Sequence, residues 1–236
     1  MAGSEIDLQR EYYARTAQQY ESMHVNASDE HFKALTQLVD LLHKYQIESV
    51  LDVGSGTGRA LHFLKEKKPG LKVTGIEPVH ELRQVGYAHG LSSEELKGGD
   101  ATRLELADGS YDLVCEFGVL HHIRHPELAV KEMLRVARKV ILISDSNNFG
   151  QGSWPTRTIK QCINAVGIWP LANWFKTGGK GYQITKGDGL AYSYSVFNNL
   201  RQIQRACSSV EVLDTHGGTG NVYRTAAHVT LIGIKK

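Results

Sequence analysis

The chain is short of nearly everything that marks a protein for a disulfide scaffold, a membrane or a polyanion. Its three cysteines, Cys115, Cys162 and Cys207, are scattered through 236 residues and form neither a disulfide framework nor a zinc-ligand spacing. No apolar run approaches the roughly 20 residues that a membrane-spanning helix needs. Residues 1–10 are polar and lack the apolar core of a secretion signal, so the expected location is the cytoplasm. Net charge is scarce as well. With 27 basic and 25 acidic side chains the formal balance is +2, no basic block stands out, and no clear nucleic-acid partner is implied. The hydrophobic fraction of 41% is enough for a folded core.

What is present centres on Val50-Leu51-Asp52-Val53-Gly54-Ser55-Gly56-Thr57-Gly58, an apolar strand running into a glycine-rich turn. Arg59 to Glu66 follows with apolar residues at helical spacing, the strand–turn–helix context that a nucleotide loop requires. Gly54 suits the turn, Gly56 lets a ligand approach the backbone, and Gly58 permits tight packing at the helix start. A dinucleotide fingerprint fits poorly, because Arg59 stands where its third glycine belongs. Asp52 would also repel a pyrophosphate. An acidic strand end favours a ligand with cationic groups and no phosphate, and S-adenosylmethionine, with an ammonium and a sulfonium, meets that description.

Four further stretches join the glycine loop: Gly75-Ile76-Glu77-Pro78, Gly99-Asp100-Ala101, Tyr111-Asp112-Leu113-Val114 and Val119-Leu120-His121-His122-Ile123. Together they resemble the class I S-adenosylmethionine-dependent methyltransferases, in the branch that methylates small molecules. The resemblance implies an α/β Rossmann-like fold with a seven-stranded, mostly parallel sheet, an antiparallel last strand, helices on both faces and a small cap. Read along its length, the chain divides into N-terminal helices with a candidate lid (1–46), a cofactor-binding core (47–148), an irregular cap (149–192) where the strand–helix rhythm breaks, and a closing helix and strand pair (193–236). The resemblance also implies cofactor contacts from Asp52, Gly54, Ser55, Gly56, Gly58, Glu77, Pro78, Asp100, Ala101, Glu116, Phe117 and Gly118. Glu77 is placed independently as well: a carboxylate closing the second strand can accept both ribose hydroxyls.

Helices are expected from Asp7 to Tyr20, with residues 1–6 loose, and from His31 to Tyr45, capped by Ser28. His125 to Val136 reads as a helix with Leu128, Met133 and Leu134 inward. The usual proline–glycine turn before the fifth strand is missing at Arg135–Lys139, so that connection should be short. The fifth strand is expected at Lys139–Ser144. Thr156–Val166 reads as a helix within the cap, and Tyr194–Cys207 as another beyond it.

Methyl transfer to a hydroxyl needs a proton acceptor, and His121 and His122, after the fourth strand, are the first candidates. His216, between the last two strands, is another. A zinc site from His121, His122 and His125 is not expected, since adjacent side chains rarely converge on one metal. Asp145, Asn147, Asn148, Lys160, Tyr182, Asp188, Tyr192 and Tyr194 mix polar groups with aromatic rings, as a polyhydroxyl ligand requires, and Tyr13 joins them from the lid. The stretch Gly187–Phe197 is similar to methyltransferases of polysaccharide and O-antigen biosynthesis. The expected function is O-methylation of a sugar-containing metabolite such as a glycan precursor, by a monomer or homodimer. The alternatives are a same-fold enzyme acting on protein or RNA, or a non-catalytic module that binds S-adenosylmethionine.

Overall fold

Strand β1 (Ser49–Val53) is buried after its first residue, and its side chains serve two cores at once. Leu51 and Val53 point into one cluster, while Val50 points into the other on the opposite face of the sheet. A strand buried on both faces cannot alternate apolar with polar residues, which is why this stretch reads as a nearly unbroken apolar run. The computed structural model describes residues 5–21, 29–185 and 187–236.

Around β1 the sheet is completed by β2 (Lys72–Ile76), β3 (Leu96–Lys97), β4 (Tyr111–Phe117), β5 (Ala137–Ser146), β8 (Cys207–Asp214) and β9 (His228–Lys235). The order across the sheet is β3-β2-β1-β4-β5-β9-β8. The first five strands are parallel, and β9 runs antiparallel to both β5 and β8. The strand order reverses between β1 and β4, so their carboxyl ends open a crevice where an α/β sheet takes its ligand. This is the expected class I Rossmann-like architecture.

Helices α2 (Glu30–Lys44) and α3 (Arg59–Lys67) cover one face with Leu35, Leu38, Leu61 and Leu64. Helices α5 (Pro126–Val136) and α8 (Phe197–Ala206) cover the other with Val130, Met133 and Ile203. Helix α4 (His80–Ala88) joins β2 to β3 and sets Leu82 against the N-terminal segment.

Several local expectations are corrected. Helix α1 spans Glu5–Thr16, so Glu5 and Ile6 are helical, and Ala17–Gln19 tightens into a 3-10 turn. Residues 1–4, and Ser28 as the cap of α2, lie outside the described residues. The side chain of Asp29 accepts from the Phe32 N–H at 2.6 Å and caps that helix. Leu128 is 46% exposed, while Met133 and Leu134 turn inward. Strand β5 starts at Ala137, directly after α5, as the missing turn implies.

The cap is not irregular. It consists of α6 (Trp154–Ala165), α7 (Trp169–Lys176) and a two-stranded hairpin of β6 (Tyr182–Thr185) and β7 (Gly189–Tyr192). A short helix, α9 (Val222–Thr225), interrupts the connection from β8 to β9. Among the described residues, no helix is long and apolar enough to cross a membrane.

Candidate functional site

The crevice at the carboxyl ends of β1, β2 and β4 is a cleft with two halves. One is lined by Ile76, Glu77, Pro78, Val79, Leu82, Asp100, Ala101 and Val119, and the other by Asp52, Ser55, His31, Arg59, His121 and Asp188. Tyr13, Tyr20, Gly54, Phe117 and Gly118 border both. The neck between the halves needs glycine. Gly54 has φ +78°, and a Cβ there would fall 2.4 Å from Val119 Cγ2. Gly118 has φ +73°, and a Cβ there would fall 2.5 Å from His31 Cε1. Both positions combine left-handed backbone with no space for a side chain.

Two buried carboxylates organise the strand ends. Glu77 Oε2 accepts from the Gly56 N–H at 3.0 Å, and Oε1 accepts from the Val79 N–H at 2.9 Å. Burial pushes its pKa up to about 7. Asp52 accepts from the Ser55 hydroxyl at 2.7 Å, and burial raises its pKa to about 6. Asp100 accepts from the Thr102 N–H and hydroxyl, and from Arg10 at 3.1 Å. Burial alone would raise its pKa, but these donors hold it below the usual carboxylate range. Arg59, in place of a third fingerprint glycine, turns away to pair with Asp29 at 2.8 Å and lies over the Phe32 ring.

The N-terminal segment closes over this cleft. Tyr13 and Tyr20 pack edge to face at 5.8 Å, and Tyr20 lies against the backbone of Gly56. Tyr13 and Tyr20 also pack on the Val79–Leu82 cluster. Gln9 accepts from the Leu190 N–H and donates to the Asp188 carbonyl at 3.3 Å, tying α1 to the β6–β7 hairpin.

At the far end, the 3-10 turn Leu120–His122 brings two imidazoles together, with ring centroids 3.9 Å apart. His121 Nδ1 lies 2.7 Å from Asp145 Oδ1, and its Nε2 lies 3.2 Å from Asp188 Oδ2. Asp145 is completely buried and also accepts from the Leu120 and His121 N–H groups. Burial would lower the His121 pKa, but the two carboxylates outweigh it and hold the pKa well above its ordinary value. The converse applies to Asp145: burial would raise its pKa, while the His121 charge lowers it to about 2. His122 Nδ1 donates to the Leu190 carbonyl at 2.7 Å, leaving Nε2 to the Tyr13 hydroxyl at 3.1 Å and to Asp188 at 3.3 Å. Adjacent imidazoles therefore do converge, on Asp188 and not on His125. His125 is exposed and pairs with Glu127.

Other candidates fall elsewhere. Glu116 is fully buried behind the cleft, where its carboxyl accepts from the Val119 and Ser144 N–H groups. His216 contacts Lys33 at 2.9 Å and does not border either half of the cleft. Tyr192 lines the half of the cleft that holds Glu77, its hydroxyl donating to Glu5, and packs on Tyr182 across the hairpin. The Tyr194 hydroxyl is buried and donates to Asn199 at 2.9 Å. Asn147 is a buried hub: its amide donates to the Tyr223 and Ala226 carbonyls, and its Oδ1 accepts from Ser195. Lys160 donates to the carbonyls of Asn148 and Gln151, and the Asn148 amide donates to Ser193. These contacts pin the cap to β5. We expect Asn147→Ala to lower unfolding stability by about 2–3 kcal/mol, because it orphans several buried groups. Urea unfolding measures that loss, with little change in ligand affinity.

Two residues at the site needed the structure to be found. Tyr20 and Gln9 sit on an ordinary amphipathic helix in the sequence. Asp188, read from the sequence as one polar member of the cap patch, needed the structure to be paired with the two histidines.

The profile of the family described as "Methyltransferase domain" matches residues 51–140, which hold the glycine loop, Glu77, Asp100 and both histidines. A ubiquinone/menaquinone biosynthesis C-methyltransferase of Bdellovibrio bacteriovorus is 30% identical over 190 residues, covering 75% of this chain and 77% of that protein. The chain belongs to the class I S-adenosylmethionine-dependent methyltransferases. Other curated relatives are matched over less of their length. A phosphatidylethanolamine N-methyltransferase of Cereibacter sphaeroides is 31% identical over 48% of this chain and 57% of its own, and a demethylmenaquinone methyltransferase of Thermotoga maritima is 27% identical over 44% of each. The chain thus spans about half the length of these relatives. Among solved structures, a magnesium protoporphyrin IX methyltransferase from Synechocystis, with bound S-adenosylhomocysteine, shares the fold at a TM-score of 0.60 and 12% identity, over 99% of this chain and 100% of that one.

The methyltransferase cofactor is S-adenosylmethionine, and the residues present fit it. The carboxylates of Asp52 and Glu77 suit an ammonium and ribose hydroxyls, while Ile76, Val79, Leu82 and Phe117 offer apolar walls for a flat base. The nearby arginines, Arg10 and Arg59, are already engaged by Asp100 and Asp29.

Proposed function

We propose that the protein transfers a methyl group from S-adenosylmethionine to an oxygen of a small, sugar-containing acceptor by in-line displacement. When bound, the cofactor supplies a methyl group already activated on a sulfonium, so the protein must align the acceptor, exclude water and take a proton. The observation that carries this reading is His121, held at Nδ1 by buried Asp145 and turned at Nε2 toward Asp188, in the half of the cleft next to the neck.

In this closed arrangement His121 sits between two carboxylates and is an imidazolium, which cannot accept a proton. When Asp188 gives up its place at Nε2, one of the two charges holding that proton is gone and the proton leaves to water, so an acceptor hydroxyl taking that place meets a free Nε2. The neutral imidazole then receives the hydroxyl proton, with Asp145 keeping its orientation. Tyr13 and Tyr20 shield the neck from water. The sugar ring finds aromatic faces in those tyrosines and polar partners in His122 and Asp188. By this reading Asp52, Gly54, Ser55, Phe117 and Gly118 hold the methionine part of the cofactor, Glu77 the ribose, and Asp100 and Ala101 the adenine.

The test is incubation with methyl-labelled S-adenosylmethionine and separate panels of nucleotide sugars, lipid-linked sugars, peptides and transfer RNA. Alkali-stable label on a sugar is the expected result. Label confined to peptide or RNA, or none on any panel while S-adenosylhomocysteine still binds, would overturn it.

A further inference from the structure

Helices α6 and α7 have no buried residue, although they carry many of the largest apolar side chains in the cap. Trp154 is 72% exposed and Phe175 68%, and Ile159, Leu171, Trp174 and Ile184 are each at least half exposed. Leu171, Trp174 and Phe175 stand at helical spacings of three and four, so they share one face of α7. The opposite side of that helix is anchored. The Trp169 indole N–H donates to Ser193 at 2.9 Å and its ring packs on Phe149, while the Asn173 amide donates to the Gly181 carbonyl. The exposed face is therefore held outward by a fixed inner one.

The charge of this segment differs from that of the rest of the chain. Between Asp145 and Asp188 lie five of the basic residues, Arg157, Lys160, Lys176, Lys180 and Lys186, and none of the acidic ones. Lys176 and Lys180 are exposed beside Trp174 and Phe175.

We infer that the exposed face of α7, with Lys176 and Lys180 beside it, docks on an anionic lipid surface. Aromatic side chains seat at the headgroup level and cations are drawn to the negative leaflet, so tryptophan, phenylalanine and lysine on one solvent-facing helix match that surface chemically. A second copy is a poor occupant, because a face bearing only positive charge repels itself. The hairpin that follows α7 carries Asp188 to His121 and His122. A lipid-borne acceptor would thus reach the proton-accepting end of the cleft from the docked side. This corollary rests on the methyl-transfer reading; the docking does not.

Flotation with phosphatidylcholine vesicles, with and without about 30 mol % phosphatidylglycerol, tests the inference. The protein should float only with the anionic vesicles and detach as salt rises. Each surface cation is worth about fivefold in partitioning, so Lys176→Glu with Lys180→Glu should reduce it by well over tenfold. Trp174→Ala with Phe175→Ala should also release the protein, and S-adenosylhomocysteine affinity should be unchanged in both variants. Wild-type protein that stays unbound, or either double variant that floats like wild type, would overturn docking. So would a dimer that the same substitutions dissolve while vesicle binding is absent. Floating protein that methylates no acceptor leaves docking standing and removes the methyl-transfer reading; methylation of a water-soluble sugar by protein that never floats does the reverse.

Discussion

Replacing His121 by asparagine is expected to lower kcat by about 10²- to 10⁴-fold, the range for loss of a general base, and to leave S-adenosylhomocysteine affinity within about twofold. The separation follows from position. His121 contacts Asp145 and Asp188, at the end proposed for the acceptor, whereas Glu77, Pro78 and Asp100 border the other half of the cleft. The pH profile adds a readout that mere packing would not move. The neutral imidazole is the active form, so kcat/KM, which reports the free protein, should rise with pH through the His121 pKa. Asp145 and Asp188 both hold that pKa up. Asp188→Asn removes one of those charges, and the rising limb should move to lower pH. Full turnover in His121→Asn would remove the base from this position and leave alignment alone as the account.

The second large effect is on the cofactor. Glu77→Ala should weaken S-adenosylhomocysteine binding by about 10²-fold or more, since a carboxylate accepting two hydroxyls contributes two charge-assisted hydrogen bonds. Titration calorimetry would show it, with NAD as the control ligand that binds neither protein. Binding should also depend on pH. Burial places the Glu77 pKa at about 7 and that of Asp52 at about 6, so both carboxyls are partly protonated in the free protein near neutrality. A ligand presenting donors and an ammonium selects the ionised forms. Affinity should therefore tighten from pH 5 to 7.5, by up to about tenfold per unit for each carboxyl that must lose its proton. Proton release should appear as a binding enthalpy that changes with the buffer. For the free protein the sign is opposite. A raised carboxyl pKa contributes stability that is complete below the unfolded value and is lost as pH rises through 7, about 3 kcal/mol for Glu77. A pH-independent affinity would mean that neither carboxylate meets the ligand.

Much of this protein was legible before any fold was known, and for a local reason. A buried strand, a glycine turn and a helix start are encoded within a dozen consecutive residues, and Glu77 and Asp100 stand at the ends of the next two strands. The parallel sheet then carries all three to one edge, because successive strands run the same way. The sequence by itself therefore determined the fold class and the cofactor, and it named the strand ends that line the cleft.

Contacts between distant segments were decided only by tertiary structure. Asn147 and Lys160 carry the chemistry of ligand-binding groups, yet packing spends their donors on carbonyls of the cap and the α9 region. Asp188, legible only as one polar residue of the cap, becomes the partner of both histidines because the β6–β7 hairpin folds back over them. The charge is uneven along the chain as well: a balance of +2 conceals a stretch from Ser146 to Gly187 with five basic residues and no acidic one, and only the fold shows that much of this stretch is exposed. Secondary structure follows from neighbours in sequence, whereas the use of a polar or charged side chain depends on which distant backbone or carboxylate it meets.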